Sequence, residues 1–435
     1  MNEKTEPRAR PSVVISAVQD GAIVETVYRP ETNDTALVLA SNGSVEVTGE
    51  WNRGGASFVP IRPSNNLIKH RALLFASEPV ECGDTTELLD EIAKYIRRYV
   101  SLPDQAIGIS AAYVLLSWVY DAFNELPYLR FRGDYGTGKT RALLVIGSLC
   151  YKAFFASGAS TVSPIFHTLD TFKGTLIFDE ADFRFTDEKA ELVKILNNGN
   201  AKGFPVLRTQ VTPKKEFDPQ AFAIFGPKIV GMRRSYDDRA LESRFLTIEM
   251  EPGRSGGVPI NLPDAQKDEA LSLRNKLLTY RLRNRLSVVL DPTLADPSLE
   301  ARMNQILLPL LSVVPDEKLR ATIQSTAQML QAGIVSERGA STEGQVLSIV
   351  ARLLAEKPEK SLALSELAAA FGKEFGSEYE RPITNRWIGS VLRRLGIVLY
   401  KSNGVFVLVP GQDERITALC TRYGIVDMVG KNCEE

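Results

Sequence analysis

Residues 133–140 read Gly-Asp-Tyr-Gly-Thr-Gly-Lys-Thr, a full match to the pattern G-x-x-x-x-G-K-[ST]. Nucleoside triphosphate chemistry needs these residue types in this order. Gly133, Gly136 and Gly138 let the backbone turn sharply and aim its N–H groups at phosphate oxygens. Lys139 adds a mobile cation for the β and γ phosphates, and Thr140 offers a hydroxyl to Mg²⁺. The helix opening at Arg141 turns the positive end of its dipole toward the anion. The stretch from Gly133 through Asp134, Tyr135, Gly136, Thr137, Gly138, Lys139 and Thr140 to Arg141 is therefore expected to bind ATP with Mg²⁺.

The second half of such a site follows about forty residues later. Thr175-Leu176-Ile177-Phe178 is an apolar or β-branched run closed by Asp179 and Glu180. Such a run suits a parallel strand buried on both faces. Asp179 at its tip is expected to join the Mg²⁺ shell. Glu180 is expected to orient and polarise the attacking water.

Further along, Arg244 lies in Ala240-Leu241-Glu242-Ser243-Arg244-Phe245. Phosphoryl transfer gains from a cation at the developing charge, and arginine reads oxygens bidentately. The competing expectation is a surface arginine paired with Glu242 or Asp238; Arg239 is the alternative cation. Between Asn197-Asn198-Gly199-Asn200 and Ala221–Phe225, Lys214 and Lys215 fall at the tip of an expected β-hairpin. A lysine pair attracts phosphate without reading sequence, although a solvated charged loop has the same composition. His167, between Phe166 and Thr168, reads as structural.

Composition and patterning set the frame. The chain has 435 residues, 44% hydrophobic and 24% charged, with a net charge of −1. That is ordinary globular composition with room for about three domains. No global basic field advertises nucleic acid, so any such contact rests on local patches. Cys82, Cys150, Cys420 and Cys433 show no metal spacing, and with two histidines a zinc site is not expected. Scattered cysteines and a charged N-terminus lacking an apolar stretch point to the cytoplasm. Ala106–Tyr120 is apolar but too short to span a bilayer, and reads as a buried helix.

Six segments are expected. Residues 1–72 hold a small antiparallel β module, with strands separated by Asp-Gly, Asn-Asp and Asn-Gly turns. Residues 73–126 form a helical connector. Residues 127–255 alternate strand and helix signals around a central parallel sheet. Tyr128-Leu129-Arg130-Phe131-Arg132, which leads into the glycine loop, alternates apolar and basic residues, unlike an ordinary core strand. Residues 256–340 read as helical. Residues 341–410 read as a winged helix, followed by a tail over 411–435. In that unit Glu343–Ala355 is amphipathic and Ser365 is expected to cap a short helix over Glu366–Phe371. Thr384 is expected to cap a third helix running to Arg394 and stopped by Gly396. Arg386, Arg393 and Arg394 lie on its polar side. A third helix with arginines, followed by a hairpin wing, is a layout that docks in a major groove; a protein-binding winged helix shares it.

Gly133–Thr140, Asp179-Glu180 and Ala240–Phe245 together resemble an AAA+ ATPase, in particular replicative helicases of the minichromosome-maintenance type and the viral or plasmid primase-helicases. The resemblance implies an α/β P-loop core with a central parallel sheet and a helical lid. It implies that Arg244 reaches the γ-phosphate of a neighbouring subunit, so that the active form is a homo-oligomeric ring, a hexamer. It implies that the hairpin carrying Lys214 and Lys215 projects into a pore holding single-stranded DNA. It implies that Arg302 is a candidate lid arginine. The strand Lys228-Ile229-Val230-Gly231-Met232 corresponds to one that usually ends in Asn or Thr. Here it runs into Met232-Arg233-Arg234, leaving Arg233 as the candidate there. Three function classes follow: an ATP-dependent DNA helicase of a mobile element, phage or plasmid; a DNA-binding ATPase without unwinding, such as an initiator, loader or transposition regulator; and a nucleotide switch acting on protein partners.

Overall fold

A computed structural model describes residues 11–179, 187–211, 217–236, 238–252, 257–357, 361–402 and 404–425. Glu180, Lys214 and Lys215 lie outside the described residues. The chain divides into two compact units, one ending at Ala327 and one beginning at Gln328.

The first unit begins with β1 (Ser12–Val13), β2 (Ser16–Gln19), β3 (Ala22–Arg29), β4 (Asp34–Ser41), β5 (Ser44–Thr48), β6 (Trp51–Arg53) and β7 (Ala56–Val59). Strands β2-β3-β4-β5 form an antiparallel meander. Asp20-Gly21 and Asn42-Gly43 take positive φ at its two-residue turns, as such hairpins require. The module is not purely antiparallel, because β1 pairs in parallel with β7. After α1 (Asn66–Lys69) come α2 (Thr85–Tyr99) and α3 (Asp104–Val119). Asp84 and Glu87 form a reciprocal capping box on α2. Helix α3 is buried almost all round, which explains its unbroken apolar sequence.

The core follows as β8 (Tyr128–Arg132), α4 (Lys139–Gly147), β9 (Phe154–Ser157), α5 (Val162–Phe172), β10 (Leu176–Asp179), α6 (Asp187–Asn198), β11 (Val206–Val211), β12 (Phe217–Phe222), β13 (Lys228–Met232), α7 (Arg239–Glu242) and β14 (Phe245–Glu249). Five strands make a parallel sheet in the order β14-β8-β13-β10-β9. Helix α4 packs on one face, where Leu143 meets Gly231 and Gly147 meets Ile177. Helices α5, α6 and α7 cover the other, with Phe166, Leu169, Leu192, Leu196 and Leu241 packed against Tyr128, Phe178, Val230 and Phe245. The connections leaving β8 and β13 thus depart on opposite faces. Their shared carboxyl ends form the crevice where ligands bind in open α/β sheets.

The basic residues of β8 find their reason on the α7 face. Arg130, 3% exposed, makes a bidentate pair with Glu242 at 2.6 and 2.7 Å. It also donates to Thr247 Oγ1 at 3.0 Å and lies over the Phe245 ring. Arg132 donates through Nε to Glu249 at 2.9 Å. A central strand tolerates these cations because α7 and β14 bring carboxylates to them.

Two other buried charges tie distant segments. Glu25 on β3 pairs with Lys152 at 2.8 Å and with Arg281 at 2.7 Å, and accepts from the Tyr151 hydroxyl. Arg281 belongs to α8 (Ala265–Asn284) and also reaches Asp121 at 2.8 Å. Burial alone raises the Glu25 pKa, but Lys152 and Arg281 more than offset it and hold the carboxyl below its ordinary value. The guanidinium is a permanent cation, so the burial penalty falls on the amine, and Lys152 is held down to about 8. Lys228, fully buried, has no carboxylate within reach among the described residues. Its Nζ donates to the carbonyls of Gly199, Ile224 and Gly226 at 2.9–3.0 Å.

Burial pushes the Lys228 amine down to about 7. Between about pH 7 and the ordinary lysine range, the unfolded chain keeps a proton that the folded one has released. Stability should therefore rise with pH across that window and be flat below it. Urea unfolding at pH 6, 7.5 and 9 should show wild type gaining on Lys228→Met by up to about 1.4 kcal/mol per pH unit above 7. Parallel curves for the two proteins would mean that the amine does not titrate there.

The rest of the first unit is helical, with α8, α9 (Ala301–Ser312) and the first part of α10 (Glu317–Ala340), which continues into the second unit from Gln328. The second unit holds α11 (Thr342–Glu356), α12 (Leu364–Phe375), α13 (Asn385–Arg394), a hairpin of β15 (Leu399–Ser402) and β16 (Val405–Leu408), and α14 (Asp413–Arg422). Val346, Leu347, Phe371, Val391 and Leu392 form its core. Thr384 caps α13 by accepting from Trp387 N at 3.2 Å, and Gly396 follows it at φ +71°. Ser365 is not a cap. Ala363 holds that position without a side-chain bond, and Ser365 lies in the first turn of a helix longer than expected. Apolar packing of Leu364 and Leu367 carries that start instead.

Candidate active site

The glycine loop joins the carboxyl end of β8 to the start of α4. Gly138 sits at φ +89° as the residue before α4, a conformation that L side chains rarely adopt. A Cβ on Gly133 would collide with the Met250 carbonyl, so that position admits no side chain. Lys139 Nζ donates to the carbonyls of Gly133 and Asp134 at 2.8 and 2.6 Å, spanning the loop's mouth. Thr137 Oγ1 closes the turn onto the Asp134 carbonyl at 2.9 Å. Tyr135 is 76% exposed, and the Arg233 guanidinium stacks 4.2 Å from its ring centre and donates to its hydroxyl. Arg141 donates to the carbonyls of Pro259 and Ile260, fastening the segment after β14 to α4.

Asp179 is the last residue of β10, two strands from β8. The start of α4 bridges that gap, and Thr140 Oγ1 donates to Asp179 Oδ2 at 2.7 Å. The structure thus joins two motifs 39 residues apart. Both offer hard oxygen donors, few in number, facing the phosphate cradle. That set fits Mg²⁺, which keeps several waters and takes phosphate oxygens as further ligands. A cavity of about 470 Å³ lies beside α4 and shares Leu144 and Phe155 with the pocket at Thr140 and Asp179. Arg274 lines it, 7% exposed, with Nε and Nη1 on the carbonyls of Phe75 and Ser148.

Arg244 is elsewhere. It immediately precedes β14, at the amino end of the sheet, where its carbonyl accepts from Tyr128 N at 2.8 Å. The five residues of β8 separate that level from the glycine loop, about 16 Å at a strand's rise. Arg244 pairs with neither Glu242, which Arg130 occupies, nor Asp238, which caps α7. Its Nε donates to Asn200 Oδ1 at 2.9 Å, and Nη1 donates to the Ala240 carbonyl. Burial lowers its pKa, with Arg302 adding to the effect.

Asn197 and Asn200, at the end of α6, are what sequence reasoning missed. Only the polar, glycine-bearing turn around them marked the place. Strands β11 and β12 form an antiparallel hairpin whose connection, 212–216, contains Lys214 and Lys215. Arg386, Arg393 and Arg394 are exposed on α13, and Arg394 reaches Glu343 at 3.2 Å. His167 packs against Phe222.

The sheet, the glycine loop at a β8–α4 junction and the acid at the end of β10 give a mixed α/β domain with a parallel sheet, an arrangement consistent with a P-loop domain. No protein-family model matches the chain, and no curated protein matches it. Among solved structures it is similar to the C-terminal region of NrS-1, at 13% identity over 88% of this chain and 95% of that one, with a TM-score of 0.36. It is similar to SCCmec type IV Cch, an active helicase, at 11% identity over 96% and 100%, with a TM-score of 0.38. It is similar to a full-length MCM homolog from Methanopyrus kandleri, at 12% identity over 71% and 76%, with a TM-score of 0.36. Among the described residues, no helix is long and apolar enough to cross a membrane.

Proposed function

We propose that the chain is an ATP-driven DNA motor, a ring-forming AAA+ helicase of a mobile element, phage or plasmid that works as a hexamer. One observation carries the ring: Arg244 lies a full strand length from its own glycine loop. An arginine so placed serves phosphoryl transfer only at a site on another copy, and a ring closes that head-to-tail relation. The loop amides and Lys139 hold the phosphates, and Thr140 and Asp179 hold Mg²⁺. The metal, when bound, neutralises charge on the β and γ oxygens. Glu180 takes the proton of the attacking water. Arg233, stacked on Tyr135 at the loop's edge, adds a cation on the same copy. The adjoining cavity has the volume and apolar walls to take the base.

Two basic elements divide the work on DNA. The hairpin offers Lys214 and Lys215 to the backbone of a single strand. Phe217, 78% exposed beside that connection, offers a ring for a base to stack on. Residues 341–410 are read as a winged helix, with Arg386, Arg393 and Arg394 of α13 facing duplex and residues 256–340 acting as the lid.

The test is ATPase activity with and without single-stranded DNA, alongside strand displacement on a forked duplex. DNA-stimulated turnover with displacement supports the motor. Stimulation without displacement leaves a DNA-binding ATPase, and no stimulation leaves a switch acting on proteins. Lys214→Ala with Lys215→Ala should remove the stimulation, spare basal turnover and lower the salt slope of single-strand binding by about 0.7 for each lost contact. An unchanged slope would remove the hairpin from the DNA path.

A further inference from the structure

The turn that ends α6 links three things the proposed motor must coordinate. Upstream, α6 follows Asp179 and Glu180 after a short segment. Downstream, the chain enters the hairpin carrying the lysines. Sideways, the turn holds the segment bearing Arg244. Asn197 Nδ2 donates to Asp238 Oδ2 at 2.7 Å, and Asp238 caps α7. Asn200 Oδ1 accepts from Arg244 Nε at 2.9 Å. The turn is clamped at the amino end of the sheet. The Asn200 carbonyl accepts from Leu126 N at 2.8 Å, Ala201 bridges Glu125, and Lys228 Nζ donates to the Gly199 carbonyl at 3.0 Å.

Asn200 is an odd residue for such a place. It is 1% exposed, and its Nδ2 is buried without a hydrogen-bond partner among the described residues. A buried donor left unmatched costs folding free energy that a bonded one does not. The side chain therefore does not contribute through a complete set of bonds; its one side-chain bond goes to Arg244. Nε and one Nη1 hydrogen are held by Asn200 and by the Ala240 carbonyl, which leaves Nη2 and the other Nη1 hydrogen for a phosphate.

We infer that Asn200 is a positioning residue for Arg244, and that the 197–200 turn relays displacement of the hairpin root to the arginine serving the next copy's phosphates. This rests on the trans role of Arg244 stated above. A strand pulled on the hairpin shifts residues 199–201 against the sheet's amino end. Asn200 then moves the guanidinium, and an ångström at that cation is enough to change the rate about a hundredfold.

The experiment is a double-mutant cycle on the full chain, reading turnover, ATP affinity and the ratio of DNA-stimulated to basal rate. Asn200→Ala, with Asn200→Leu as the variant that keeps volume but not the acceptor, should keep ATP affinity within twofold. Turnover should fall about 10- to 100-fold and the stimulation ratio toward one. Arg244→Ala with Asn200→Ala should be no slower than Arg244→Ala alone, because a positioning residue has nothing left to position. A second drop of the same size in the double variant assigns Asn200 an independent structural part and overturns the inference, as does full turnover in both Asn200 variants. If Arg244→Ala itself hydrolyses ATP like wild type, the trans reading fails instead.

Discussion

Lys139→Ala should lose measurable ATP binding. The Lys139 ammonium sits across the loop, on the Gly133 and Asp134 carbonyls, and is the loop's own cation. Two charged hydrogen bonds to phosphate at about 1.5–3 kcal/mol each amount to roughly two to four decades in affinity. Titration of a fluorescent ATP analogue checks it. Glu180→Gln is the companion variant. It should bind ATP normally and turn over about 10²–10⁴-fold more slowly, since an amide takes no proton from water. Normal hydrolysis by that variant would remove Glu180 from the mechanism, and normal binding by Lys139→Ala would remove the loop.

Arg244→Ala should bind ATP as wild type does and hydrolyse it at least about 10³-fold more slowly, the size of effect an arginine at the transferring phosphoryl group has. Its distance from its own loop makes the test decisive. In a mixture, a Lys139→Ala copy brings an intact arginine to a neighbour carrying Arg244→Ala but an intact loop. Turnover should rise at intermediate ratios well above that of either variant alone. With assembly of the mixture verified by light scattering, no recovery at any ratio would place the arginine's work within one copy or remove it from catalysis. The Arg130–Glu242 pair bears on this result. It leaves Glu242 unable to neutralise Arg244, and it anchors α7 to the strand that enters the glycine loop.

Much of this was legible in the sequence, and the division follows contact range. The glycine loop, the run closed by Asp179, the β11–β12 hairpin and the span of α13 with its Thr384 cap are encoded within a few residues of themselves. Glycine conformations, capping oxygens and apolar spacing act locally, so they can be read locally. What escaped depends on residues far apart in the chain. Arg130 on a core strand made no sense until Glu242, 112 residues later, met it. Asn200 gave no sign that it faces Arg244, 44 residues on. The parallel β1–β7 pair is likewise a matter of return path, not of strand composition. Ser365 was misread because a serine before an amphipathic run is only one way to start a helix, and burial of Leu364 overrode it.

The buried carboxylate of Glu25 also sets where the chain can be cut. The strands before Ala72 read as an appendage, yet one of them carries the counter-ion for Lys152 beside the core and for Arg281 in α8. A fragment begun at residue 73 or 127 would keep both cations and lose the carboxylate between them, a defect of about 3–5 kcal/mol. The smallest fragment that folds on its own is therefore not the stretch that contains the glycine loop and Asp179. It must include β3, and whoever trims the chain for crystallisation or for a domain graft should place the knife before Ser12.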